Sequence, residues 1–307
     1  MIKYDMVNDF LLILIKRNGD IIHNIFATSH KDLICKYISR EEEQSKQYFR
    51  ALYTPKEDYR LDEVDNYHLI ISENYIPDWF VGAMAEDTLV KLKALISSMI
   101  ISGRKPLLLH DGVILNGNAV VDELKHSVVF AMYDQAHIRC LNNGSEVQRM
   151  TDESVIDEMR DSTKVEELWG FARVKEMFDY SKVLKMWGQS RIGIMNDNSR
   201  IAMLKGDANI IEMHDTSQAD RLKHMSKVDE MHGHSVIEEM WDWTVVEKMF
   251  DQSRINYMDE EAKVCEMYGD SIIEEMHGNT IVEKLCENSL VRKLYEAAQV
   301  LSKELKK

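Results

Sequence analysis

No stretch of this sequence stays apolar long enough to cross a bilayer. The run Phe10 to Ile15 (FLLILI) is followed at once by Lys16 and Arg17. It is too short for a membrane helix or the core of a secretory signal, and reads as a buried strand. Cysteine is scarce: Cys35, Cys140, Cys265 and Cys286 have no paired spacing. That argues against a disulfide framework and for free thiols in a reducing, cytoplasmic setting. Basic residues are outnumbered, 38 against 53 acidic, for a formal net charge of −15. An acidic chain repels nucleic acid and anionic membranes, so direct contact with either is not expected. Catalytic motifs are missing too. No glycine-rich phosphate loop follows a strand, His110-Asp111-Gly112 lacks the partner sets of a hydrolase, and no serine or cysteine nucleophile has a base beside it. The expectation is a non-enzyme without cofactor or metal. With 45% hydrophobic and 30% charged residues, the chain is soluble and folded rather than disordered.

What the sequence does contain is a repeat. From Ser235 to Asp251 it reads SVIEEMWDWTVVEKMFD, and the second half nearly restates the first. The register runs from His126 to Glu296 as 19 uninterrupted nonapeptides. Position two is Ser, Ala or Thr throughout; position four is Val or Ile except at Ala219; position seven is Met or Leu; position nine is mostly Gly, Asp or Asn. A noisier copy, GNAVVDELK, starts at Gly117.

An unbroken helix cannot use this pattern. Nine residues at about 100° each leave the apolar stripe half a turn out of phase in every repeat. Strands can, because positions two and four share a face. Position seven has the wrong parity for that face, so the chain must bend between four and seven and again at position nine. The expectation is a β-solenoid of tandem nonapeptides, mainly β, with columns of like side chains inside. Two repeats per coil would give a rod of about 45 Å, and three would give one of about 30 Å. The 18-residue option is similar to the β-rolls of calcium-binding nonapeptide proteins, but their Gly-Gly-x-Gly-x-Asp turn is absent, so calcium is not implied.

The flanks differ. Residues 1–116 read as an α+β domain capping the solenoid: a hairpin from Phe10 to Lys16 and Ile21 to Phe26 around Asn18-Gly19, a helix over Ser29 to Ile38 capped by Thr28 or Ser29, and strands over Tyr48 to Tyr53 and Tyr67 to Ser72. An amphipathic helix over Glu86 to Ile101 follows, then a strand over Leu107 to Leu115. Residues 117–296 form the solenoid, and Ala297 to Lys307 (AAQVLSKELKK) reads as a C-terminal capping helix.

Three outward features are candidates for a protein partner, a basic one given the acidity. Glu158, Glu167, Glu176, Glu212, Glu230, Glu239, Glu266 and Glu275 share position six, broken by Lys185, Lys248 and Lys284. Position eight collects aromatics, among them Trp169, Trp187, Trp241 and Phe250, with His214, His232 and His277; position one adds Phe171, Tyr180 and Trp243. Stacked rings support a sheet, and exposed ones suit an interface. The histidines would need further ligands to close a zinc site. Between Tyr180 and Gly206 the array turns basic, with Lys182, Arg191 and Arg200 at position three and Leu184, Ile194 and Met203 where polar residues normally stand. An apolar patch with a basic rim on an acidic rod is a candidate contact surface.

The Ser-x-Val-x-x-Met-x-Gly/Asp array, joined to Tyr67–Glu73 (YHLIISE) and Pro77-Asp78-Trp79-Phe80, resembles uncharacterised nonapeptide-repeat β-solenoid proteins of phages and bacteria. In shape and charge the array is similar to pentapeptide-repeat proteins that mimic DNA. The resemblance brings no activity with it. The unbroken array, the carboxylate columns and the lack of a catalytic set point to a non-enzymatic interaction module, an acidic inhibitor occupying the basic surface of a nucleic-acid-handling protein as in phage counter-defence. The alternatives are a structural rod, able to self-associate, or an N-terminal ligand-binding domain on a solenoid scaffold.

Overall fold

The computed structural model describes residues 11–24, 27, 29–56, 59–72 and 76–304. Phe10, Phe26, Thr28 and Glu73, which enter the expectations above, lie outside the described residues. The chain divides into two compact units, Met1–Ile100 and Ile101–Lys307.

The first unit is α+β. Strands β1 (Leu11–Lys16) and β2 (Ile21–His23) form the expected hairpin, with Gly19 at φ 85° in its turn. β3 (Tyr48–Pro55) and β4 (Tyr67–Ile71) complete an antiparallel sheet in the order β2-β1-β3-β4. Helix α1 (His30–Tyr37) starts at Ser29, whose side chain accepts from the Asp32 N–H. A short α2 (Arg40–Gln44) is closed by a capping box between Ser39 and Glu42 that the expectations above do not include. The Glu42 carboxyl is held at about 2 by the Lys16 ammonium and by the Ser39 backbone and hydroxyl. Helix α3 (Ala83–Met99) begins three residues before Glu86 and buries Thr88, Leu92, Ile96 and Met99, leaving Leu89 exposed. No helix among the described residues is long and apolar enough to cross a membrane.

The second unit is a β-solenoid, and its coil is two repeats long. Each repeat gives one short strand over positions three to seven, and each strand pairs in parallel with the strand two repeats away, as Lys164–Leu168 does with Lys182–Met186. The strands therefore sort into two 12-stranded parallel sheets. Sheet I contains Lys164–Leu168, Lys182–Met186 and every second strand up to Leu290–Leu294. Sheet II contains Arg173–Met177, Arg191–Met195 and their counterparts up to Gln299–Glu304. In the pairing register position five has no partner: Val165 matches Val183 and Glu167 matches Lys185, skipping the residue between. The backbone bends there, which turns positions four and seven both inward. Val165 and Leu168 are buried while Glu166 and Glu167 are half-buried outside.

The interior is columns of identical residues. Met195, Met213 and Met231 stack in register, as do Ile192, Ile210 and Val228, all with no exposed surface. Each side chain packs between its own kind at the spacing of a parallel sheet, so one residue's shape fits every coil. Position two sits at the inner side of the turn and must be small. In some coils its hydroxyl ties the turn back onto the carbonyl of position eight, as in Thr163 Oγ1 to Arg160 O at 2.9 Å and Thr280 Oγ1 to His277 O at 2.7 Å. In others, Ser181 and Ser217 among them, the buried hydroxyl has no such bond.

Three expectations need correction. Residues 297–304 do not form the start of a capping helix, for Gln299–Glu304 is a strand of sheet II paired with Ile281–Cys286; Leu305, Lys306 and Lys307 lie outside the described residues. The repeat continues through Ala298 and Val300 at positions two and four, and only Lys303 at position seven departs, so ladder pairing overrides local helix propensity. Leu107 to Leu115 is two strands, Arg104–Leu109 and Gly112–Leu115, separated by a corner at His110 with φ 59°. The copy at Gly117 is shifted by one residue, for Ala119, Val121 and Leu124 are the buried ones. The solenoid unit accordingly starts well before Gly117.

Gly193 occupies position five where the sheet bends most tightly: a Cβ there would run into the Lys175 carbonyl oxygen. Gly193→Ala is expected to cost about 1–3 kcal/mol of overpacking strain, read as a lower urea midpoint in circular dichroism.

Candidate interaction surface

The corners explain position nine. All nineteen position-nine residues have positive φ, whether glycine, as at Gly170 (φ 63°), or not, as at Asp161 (φ 58°). Glycine and Asn/Asp tolerate this left-handed conformation best. Aspartate adds a second function, since its carboxylate reaches back one coil and accepts the N–H of the corner residue there. On one edge Asp161 takes the N–H of Asn143 (3.0 Å), Asp179 that of Asp161 (3.0 Å), Asp197 that of Asp179 (3.1 Å) and Asp215 that of Asp197 (3.2 Å). On the other edge Asp152 takes Asp134 (3.0 Å), Asp242 takes His224 (2.7 Å) and Glu296 takes Gly278 (2.8 Å). A donor that no parallel strand can reach is thereby satisfied in coil after coil.

This chemistry decides where the charge lies. Positions nine and one from Asp134 to Glu296 hold fifteen acidic residues and not one lysine or arginine. Residues 117–307 carry −12; removing these fifteen charges leaves +3. The net acidity of the solenoid is therefore two edges of carboxylates, and the sheet faces between them balance.

The position-six glutamates do not make one column. Glu158, Glu176, Glu212, Glu230 and Glu266 lie on sheet II, while Glu167, Glu239 and Glu275 lie on sheet I. Many are neutralised locally, Glu167 by Lys185 (3.2 Å), Glu275 by Lys293 (2.6 Å) and Glu158 by Arg160 (2.8 Å). The basic–apolar group also divides. Lys182, Leu184, Arg200 and Met203 belong to sheet I, where Lys182, Leu184, Arg200, Ala202 and Asp220 line a groove of about 280 Å³. Arg191 and Ile194 are on sheet II. Arg200 is fixed by two hydrogen bonds of 2.8 Å to Asp220.

Position eight forms half-buried stacks beside the corners. Trp169 lies on Trp187 (centroids 5.0 Å, 6° apart), and His214, His232, Phe250 and Tyr268 stack in sequence at 4.8–5.2 Å. These rings also hold the glutamates two residues before them: Trp241 Nε1 donates to Glu239 at 3.1 Å, and the Tyr268 hydroxyl to Glu266 at 2.7 Å. The bond to Glu266 pushes the Tyr268 hydroxyl up to about 12. His214 and His232 bond their own Glu212 and Glu230 and lie face to face, which is stacking and not convergence on a metal. Among the described residues no group of three or more His, Cys, Asp or Glu is placed to hold a metal ion. Burial pushes the Cys140 and Cys286 thiols up, and burial with Glu247 takes Cys265 to about 12, opposite to what an activated thiolate needs.

The edge carboxylates of Asp242 and Glu260 crowd one another. Asp242 is held low chiefly by the His224 N–H, whereas Glu260, one coil on, is pushed up chiefly by the neighbouring Asp242 carboxylate. A carboxyl whose folded value exceeds its unfolded value destabilises the fold when ionised, and the penalty disappears as pH falls through the raised value. Glu260→Gln keeps an oxygen for the Asp242 N–H, so it should raise the melting temperature at pH 7. The gain over wild type should vanish below about pH 4.

Positions six and three dominate a reading by glutamate and lysine; the missed signal is the absence of any cation from positions nine and one. No protein-family profile matches this chain, and no curated protein or solved structure is significantly similar to it.

Proposed function

We propose that the solenoid is a non-enzymatic interaction module whose two acidic edges occupy the basic surface of a nucleic-acid-handling protein, as an inhibitor standing in for DNA. The supporting observation is the pair of cation-free edges. Five strand residues and a turn separate them by about 20 Å, and fifteen charges over roughly 45 Å amount to about one per 3 Å of axis. Duplex DNA carries about one per 1.7 Å. The carboxylates are also pre-positioned by the backbone N–H groups they accept, which lowers the ordering cost of binding. A phage counter-defence role fits this design. The test is affinity capture from a lysate of the organism that makes the protein, with nuclease present, followed by competition. A basic partner released by duplex DNA and by salt supports the reading; a partner indifferent to both refutes it. Recovery of the chain alone favours a structural rod.

One observation favours a second reading, a ligand-binding N-terminal unit on a solenoid scaffold. A cleft of about 620 Å³ in that unit is lined by the aromatic Tyr48, Phe49 and Trp79 and by two residues of each charge, Lys46, Arg50, Glu43 and Asp78. Planar aromatic compounds that raise the melting temperature of the full chain, but not of Trp79→Ala, would support it.

A further inference from the structure

Along sheet I the outward residues of position six from Glu167 onward, past Arg149, which lies outside the matched span, read Glu167, Lys185, Met203, Arg221, Glu239, Tyr257, Glu275 and Lys293. Reversed about the gap between Arg221 and Glu239, the column meets its own complement. Arg221 faces Glu239, Met203 faces Tyr257, Lys185 faces Glu275, and Glu167 faces Lys293. Position eight of the same sheet follows suit. About the same gap Lys223 faces Trp241, Lys205 faces Asp259, and Trp187 faces His277.

We infer that sheet I is the interface of a symmetric dimer, in which a second copy of this chain packs face to face with its stacking direction reversed. The two-fold axis runs along the strands between Gln218–Leu222 and Val236–Met240, so each matched pair forms twice, as an isologous contact requires. Opposite charges across such a face set register and exclude an unreversed arrangement with its axis over this column, which would place Lys185 on Lys185 and Glu239 on Glu239. Positions three and five are not complementary: Arg200 would meet Arg254, and Asp220 would meet Glu238. Within one copy Arg200 pairs with Asp220 at 2.8 Å and Arg254 with Glu274 at 3.4 Å, as Lys185 does with Glu167 and Glu275 with Lys293. The like-charge contacts therefore oppose the interface, and the position-six column has to outweigh them. Sheet II is the internal comparison. Its position-six column matches itself over fewer pairs: about the gap between Lys248 and Glu266 these two face each other and Glu230 faces Lys284, while Glu158, Glu176 and Ile194 fall outside the matched span.

Seven strand spacings by five residues give roughly 600 Å² from each copy, near the lower end for a specific interface. The dimer is therefore expected in the micromolar range and weakened by salt. The inference is independent of the proposed function, because the edges remain open when sheet I is covered.

Sedimentation of the full chain from about 1 to 200 μM tests it, with Lys185→Glu, Glu275→Lys and the double variant. Each single reversal should weaken dimerisation at least about tenfold, and the double should restore it to within about threefold. Lys185 and Glu275 lie five coils apart in one chain and bond Glu167 and Lys293 there, so rescue can arise only between copies. Should the single changes prevent folding, carbodiimide coupling in a mixture of ¹⁵N-labelled and unlabelled wild type supplies the second measurement. A mixed-isotope Lys185–Glu275 crosslink supports the interface. A monomer at every concentration, a double variant no better than the singles, or crosslinks confined to other surfaces overturns it.

Discussion

Met213→Asp should abolish cooperative folding of the coils around it. Met213 has no exposed surface and stands between Met195 and Met231, with Ile210 beside it in the neighbouring column. A carboxylate there finds neither water nor a cation, and an unpaired buried charge costs several kcal/mol. That is a large part of the stability of a whole domain. Because each coil touches only its neighbours, the damage should be local, with new proteolytic cleavage near residues 205–225 while distant coils stay protected. Conservative changes at the same site calibrate the effect. Met213→Ala should cost about 2–5 kcal/mol through the cavity it leaves, and Met213→Leu less than about 1.5, since leucine fills this column elsewhere, at Leu285. Urea unfolding separates the three; an aspartate variant that unfolds with the wild-type midpoint would contradict a dry column.

The second large effect concerns length. Removing residues 207–224, one complete coil, joins Gly206 at position nine to Met225 at position one and leaves every column in register. This deletion should leave a folded solenoid with a melting temperature lower by a few degrees. Removing the shorter segment 207–218 joins Gly206 to Ala219 at position four, and the corner loses the three residues that turn it. Downstream strands then present the wrong parity, Glu and Arg turn inward, and β-sheet signal should fall by roughly the share of coils beyond the cut. The smaller deletion should do the greater harm. Equal tolerance of both, by circular dichroism and proteolysis, would mean that the coil is not the structural unit.

The solenoid was legible in the sequence because its requirements repeat. A small residue at position two, an aliphatic at four and Met or Leu at seven admit one face pattern, and recurrence shows where the chain bends. Coil length was not legible, because both halves of the coil carry the same consensus; what decides it is the bend at position five, where residues as unlike as Glu166, Lys175 and Gly193 stand. The C-terminal segment was misread since Lys303 hides a repeat whose other inward positions, Ala298 and Val300, are intact. The candidate surface was legible only in composition. Glutamates at position six look like a column when repeats are written one below another, yet successive repeats belong to opposite sheets, so column and face agree only every second repeat. The edge acids belong to the turn chemistry, and their hydrogen bonds to the coil before are invisible without the fold.

Acidic edges rather than acidic faces are the central claim, and one comparison addresses it. Glu153, Asp207, Glu261 and Asp270 stand at position one and cap no corner N–H, so Gln or Asn there removes edge charge and leaves the turns in place. Glu158, Glu176, Glu212 and Glu266 on sheet II give a face variant with equal loss of charge. Binding of the captured partner to the two variants should be measured by titration calorimetry at one salt concentration. The edge variant should lose at least about tenfold in affinity, or 1.4 kcal/mol, while the face variant stays within about threefold of wild type. A partner that tolerates the edge variant and is lost with the face variant would contradict the account.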